Sequence, residues 1–128
     1  PGAMEELLRY DSSVQMTGRA VMEDLELRGV ALPKGAQVVC FLGAANRDPE
    51  VFEAPDRLDV TREKVTPLSF GGGIHFCLGA QLARIEAQEA FAGLLRRLPE
   101  MVLPEREAPV WRRSFTLRGL TKLPAVWN

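Results

Sequence analysis

A chain of 128 residues is the size of one domain, and 46% hydrophobic with 26% charged residues is an ordinary globular composition. A formal net charge of −1 supplies no basic field for nucleic acid or an anionic membrane. No run reaches the ~18 apolar residues of a membrane span and no signal-peptide pattern opens the chain, so a cytoplasmic protein is expected.

The segment PGAMEELLRY reads as a short helix, with Pro1 suited to its first turn and Met4, Leu7 and Leu8 on one face. From Arg19, short apolar stretches are punctuated by "ED", "RG" and "PKG", the pattern of small antiparallel strands joined by tight turns. Cys40 lies in the apolar run AQVVCFL and is expected to be a small buried core residue. Residues 43–62 carry Pro, Gly and many polar groups, and predict an irregular segment lying on the surface. The clearest helix follows Cys77. Leu78, Leu82, Ile85, Ala92 and Leu95 approximate one stripe, Arg96 and Arg97 suit a C-terminus, and Pro99 limits the end. The tail, from Ser114 to Trp127, reads as a hairpin around Gly119. The fold class is α+β.

The chemistry concentrates in SFGGGIHFCLG, residues 69–79. Cys77 stands just before the long helix, where free backbone N–H groups and the helix dipole favour a thiolate. Gly71, Gly72, Gly73 and Gly79 clear side chains from its surroundings, and Phe70 and Phe76 add apolar walls. Four readings fit these residue types. The first is a flexible loop with a core thiol. A zinc site is second, although His75 and Cys77 supply only two ligands. A nucleophilic cysteine with His75 as base is third. The fourth is a metal that brings its own equatorial ligands, as haem does, and asks the protein for one sulfur.

The stretch FGGGIHFCLGAQLAR resembles the haem-binding loop of the cytochrome P450 superfamily, Phe-Gly-x-Gly-x-His/Arg-x-Cys-x-Gly. Phe70, Gly71, Gly73, His75, Cys77 and Gly79 meet every fixed position, and the wording is similar to the bacterial soluble branch. Gly72, Gln81 and Leu58 stand where relatives often have His, Pro and Phe, and Gly72 is expected to loosen the loop. The resemblance implies haem b (iron protoporphyrin IX) with Cys77 as axial iron ligand and catalytic thiolate. Phe70, Gly71, Gly73, Phe76 and Gly79 then form the cofactor cradle, and Arg19 and His75 hold the propionates. It implies a structural charge network of Glu6, Arg9 and Arg57, from Glu-x-x-Arg and Pro-x-Arg. It also implies a substrate pocket lined by Val14, Gln15, Met16 and Thr17, and by Thr116 and Leu117.

By the same resemblance residues 1–128 correspond to the C-terminal portion of such an enzyme, with the oxygen-activating helix lying before residue 1. The parent activity would be insertion of one oxygen atom from O2 into a small apolar substrate, with electrons from a ferredoxin-type donor. The 128 residues alone are expected to be inactive and to associate with themselves, and the haem b is implied for the parent enzyme and not required of this portion. The alternative is a non-catalytic haem-binding or self-associating structural fragment.

Overall fold

The structure is a computed structural model that describes residues 2–104 and 109–127. Helix α1, Gly2–Tyr10, forms where its pattern places it. Met4 is buried and Leu7 and Leu8 are half-buried, yet its deepest side chains are Glu6 and Arg9.

The strands are β1, Thr17–Ala20; β2, Leu25–Leu27; β3, Val30–Leu32; and β4, Gln37–Cys40. They nest as one hairpin inside another. β2 pairs with β3, and β1 pairs with β4 in the register Thr17 opposite Cys40 and Ala20 opposite Gln37. The inner turn is Arg28-Gly29, both left-handed at φ 49° and 81°. Such two-residue turns match the twist of the strands they join. Cys40, expected in the core, is exposed instead. Its sheet has two strands, a surface too small to build a core of its own.

A single helical turn, α2, Leu42–Ala45, opens the irregular segment. Two 3₁₀ turns, Leu68–Phe70 and Gly73–His75, then lead to α3, Ala80–Arg97. The apolar stripe of α3 does not form a core: Leu82, Ile85 and Leu95 are exposed, and only Ala80 of this helix is buried. The tail is looser than a hairpin ladder. Isolated bridges join Trp111 to Leu120, Val14 to Leu117 and Val102 to Val126. Gly119 lies on the returning arm, where its carbonyl accepts from Arg112 N–H, and not at the apex.

The apolar core is small: Met4, Val21, Leu42, Phe52 and Ala80. The largest fully buried side chains among the described residues are polar, namely Arg9, Glu6, Asn46 and Ser12. Among the described residues no helix is long and apolar enough to cross a membrane.

Candidate functional site

The glycine loop is a tight bend around its cysteine. Gly71 and Gly73 sit at φ 73° and 60°, where a side chain is strained, whereas Gly72 is extended at φ −161°. That difference accounts for a motif that fixes glycine at 71 and 73 and leaves 72 open. Gly79 has an ordinary φ, but a Cβ there would stand 4.0 Å from Cys77 Sγ. The bend closes on itself: Gly71 N–H donates to Leu68 O at 2.8 Å and Cys77 N–H to Phe70 O at 2.9 Å. The sulfur's residue is left exposed, and Cys40 and Cys77 are both free thiols.

A cleft of about 540 Å³ opens beside Cys77. Phe70, Gly71, His75 and Cys77 of the loop line it, together with Val14 and with Thr17 and Arg19 of β1. Thr17 and Arg19 share a face because strand side chains alternate, and Arg19 Nη1 donates to Thr17 Oγ1 at 2.9 Å. Leu8, Leu42, Ala83 and Ala87 complete a mainly apolar lining. Ala83 and Ala87 lie one turn apart on α3 and project nothing beyond Cβ. No carboxylate lines the cleft among the described residues, while Arg19 and His75 do. A broad apolar body with a soft metal and anionic edges suits that donor set. Among the described residues no group of three or more His, Cys, Asp or Glu could hold a bare metal ion.

Beneath this loop lies a buried charge cluster. Arg9 Nε and Nη2 grip Glu6 in a fork, at 2.7 and 2.8 Å. The remaining N–H groups go to backbone carbonyls: Asn46 at 2.9 Å, Pro55 at 2.8 Å and Arg57 at 3.1 Å. All five guanidinium donors are thereby used. The Arg9 fork holds the Glu6 carboxyl below the usual carboxylate range, against the opposing effect of burial, with help from Asp59 N–H and the Arg62 charge. The third charged member is therefore not the Arg57 side chain, which is exposed. It is Arg62, whose Nε lies 3.3 Å from Glu6 Oε2 and which donates to Glu53 O at 2.8 Å. Arg57 contributes its carbonyl because the irregular segment turns its backbone, not that side chain, toward Arg9.

The cytochrome P450 family profile matches residues 2–122. The chain belongs to the cytochrome P450 family. It is 48% identical to a biotin biosynthesis cytochrome P450 of Bacillus subtilis, over 98% of this chain and 32% of that protein. To 6-deoxyerythronolide B hydroxylase of Saccharopolyspora erythraea it is 46% identical, over 97% of this chain and 31% of the relative. Among solved structures, P450BioI in complex with an acyl carrier protein ligated to hexadec-9Z-enoic acid superposes with a TM-score of 0.94 at 46% identity, covering 99% of this chain and 33% of that one. CYP109E1 of Bacillus megaterium in complex with testosterone gives 0.95 at 42% identity, over 100% and 36%. The chain thus spans about a third of the length of the P450 relatives it matches.

In this P450 chain the residues singled out for the substrate pocket divide. Val14 and Thr17 line the cleft, but Gln15, Met16, Thr116 and Leu117 do not. Gln15 is turned away. It donates from Nε2 to Ser12 O and lies so close to Gly43 that a Cβ there would meet its Oε1 at 2.6 Å. Leu117 bridges Val14, and Thr116 O accepts from Gln15 N–H at 2.8 Å, so the two segments are neighbours behind the wall. Phe76 is half exposed and outside the lining.

Sequence reasoning missed Arg84 and Asn46. Arg84 grips Glu5 of α1 at 2.6 and 3.0 Å and stacks 4.7 Å over the Phe70 ring, tying two helices to the cysteine loop. Its signal was present, as the last residue of the LAR that ends the quoted motif. Arg84→Ala removes the fork and the stacked cation together, and is expected to cost about 1–2 kcal/mol in a urea melt. Arg84→Lys should retain part of that stability through the charge alone, and equal losses from both would show that the planar fork is what counts.

Proposed function

We propose that this chain is the haem-thiolate part of a monooxygenase that inserts one oxygen atom from O2 into a small apolar substrate. The observation that carries the reading is the exposed thiol of Cys77 on the wall of an apolar cleft whose charged lining is cationic. Cys77 would hold the haem b iron through its sulfur. Arg19 and His75, both in the lining of the cleft, would receive the propionates. Phe70, Ala83 and Ala87, which line the same cleft, would offer the macrocycle apolar surface. When bound, a thiolate-ligated haem supplies oxygen activation, the thiolate's electron donation favouring O–O cleavage.

Val14 and Thr17 line the same cleft and are the pocket residues we retain. The named relatives support an apolar substrate, since P450BioI is bound to a fatty-acyl carrier protein and CYP109E1 to a steroid. A ferredoxin-type electron donor and a cytoplasmic location, where free thiols stay reduced, complete the proposal. A second reading, a haem-binding or self-associating module without turnover, is favoured by the bare apolar residues of α3.

The test is spectroscopic. Haemin is added to the chain, reduced, and exposed to carbon monoxide. Cys40→Ala should leave the long-wavelength Soret band of thiolate ligation in place, and Cys77→Ala should abolish it. The opposite pattern, or no such band with the native chain, overturns the assignment.

A further inference from the structure

The buried charge cluster and the cysteine loop are joined by one side chain, Asn46. It is 0% exposed. Its carbonyl accepts from Arg9 Nη1 at 2.9 Å. Its side-chain Oδ1 accepts from Leu68 N–H at 2.7 Å, and its Nδ2 donates to Ser69 Oγ at 3.0 Å. Leu68 and Ser69 are the first two residues of the 3₁₀ turn whose third, Phe70, holds Cys77 N–H on its carbonyl. One short path therefore runs from Arg9 through Asn46 to the sulfur's own backbone.

The polarity of this path leaves little choice of residue. Ser69 Oγ has one proton, and it is given to Leu8 O at 2.6 Å. Toward position 46 the hydroxyl can only accept, while Leu68 N–H can only donate. The side chain between them must donate at one end and accept at the other. An amide does so, and this requirement also fixes which end of the amide is nitrogen. A carboxylate of the same shape would set an acceptor against an oxygen with no free proton. A methyl group would leave Leu68 N–H and the Ser69 lone pair buried and unpaired.

We propose that Asn46 is the positioning residue of the thiolate loop, its amide setting the 3₁₀ turn Leu68–Phe70 and through it the place of Cys77. This rests on the reading above only in taking Cys77 as the haem ligand. The geometric claim concerns the loop itself and is testable without haem.

Native-state amide exchange on the 128-residue chain reads it. In Asn46→Ala and Asn46→Asp the protection of the Gly71 and Cys77 amides should fall about ten- to a hundredfold. The Val21 amide, bonded to Ala36 O in the outer hairpin, should change far less. Ser69→Ala removes the acceptor of Asn46 Nδ2 and the hydroxyl's bond to Leu8 O but leaves Leu68 N–H on Asn46 Oδ1, and should loosen the same two amides more mildly. The Asn46→Asp variant adds a signature that mere packing would not give. Burial raises the introduced carboxyl toward neutral pH, and its protonated form regains a donor. Measured against Asn46→Ala at each pH, its protection should recover as pH falls from about 9 to about 6.

The charged groups around the position are Arg9 on its carbonyl, with Glu6 and Arg62 beyond; Arg47, next in the chain, turns to Tyr10 and Asp56. All of these groups, and His75 and Cys77 in the loop, are common to both variants, so the comparison between the two cancels their effect. Equal loss at Val21 and Cys77, or no pH-dependent recovery in Asn46→Asp, overturns the proposal. Absence of a thiolate Soret band in the native chain would instead overturn the functional reading and leave this result standing.

Discussion

Arg9→Ala should cost about 3–5 kcal/mol in a denaturant melt, the loss expected when one partner of a buried ion pair is removed. The magnitude follows from what remains. Glu6 keeps its charge with no exposure to water. Of its ligands only Asp59 N–H at 2.9 Å and Arg62 at 3.3 Å survive. Three carbonyls, of Asn46, Pro55 and Arg57, lose their donor at the same time. Arg9→Lys should recover little, because an ammonium has three donors and cannot reproduce the planar fork. A loss below about 0.5 kcal/mol would mean that the pair behaves like an exposed one.

The same cluster sets an acid limit. Glu6 titrates below its unfolded value because the Arg9 fork favours the anion. A depressed carboxylate contributes stability that is present above the unfolded pKa, about 4.3, and is lost as pH falls through the folded one. Stability relative to Glu6→Gln should therefore be flat above that value and shrink in more acidic solution. Urea midpoints across the range decide it.

The second large effect is association of the 128-residue chain. Leu82, Ile85 and Leu95 of α3 are exposed to 60%, 50% and 67%. The inner hairpin adds Leu27 and Val30 at 58% and 60%. Soluble monomers seldom carry apolar patches beyond a few hundred Å². Covering about 400 Å² would recover about 10 kcal/mol at ~25 cal/mol per Å², before the cost of joining two bodies. Sedimentation should accordingly show dimers or larger species at tens of micromolar (order-of-magnitude working range). Leu82→Glu with Leu95→Glu should return the chain toward monomer. A compact monomer for the unsubstituted chain would defeat this expectation.

Which features were legible in the sequence follows from how far apart their causes lie. Helices α1 and α3 and the nested hairpins rest on local periodicity and turn residues, such as Arg28-Gly29, and appear where the pattern puts them. The glycines of the cysteine loop were equally legible, since positive φ at 71 and 73 is a local demand. The exchange of Arg57 for Arg62 was not. In a segment without a repeating period nothing local says which of two arginines five residues apart turns inward. Asn46 was hidden for the same reason, its partners lying 22 and 23 residues away. Cys40 and the α3 stripe were misjudged because apolar spacing marks a face without stating what covers it.

The segment from 46 to 62 looks like a loop, and loops ordinarily accept insertions and changes of sequence. Here the two tolerances separate. Arg9 reads the carbonyls at 46, 55 and 57, and Arg62 those at 53 and 54. Carbonyls are the same in every residue, so the side chain at a position such as Arg57 is free to drift. The count of residues between those carbonyls is not, because one added or removed between 46 and 55 would swing the rest of the ring off the buried guanidinium. Between Asn46 and Arg62, whose own side chains are needed, the stretch is written in length more than in letters.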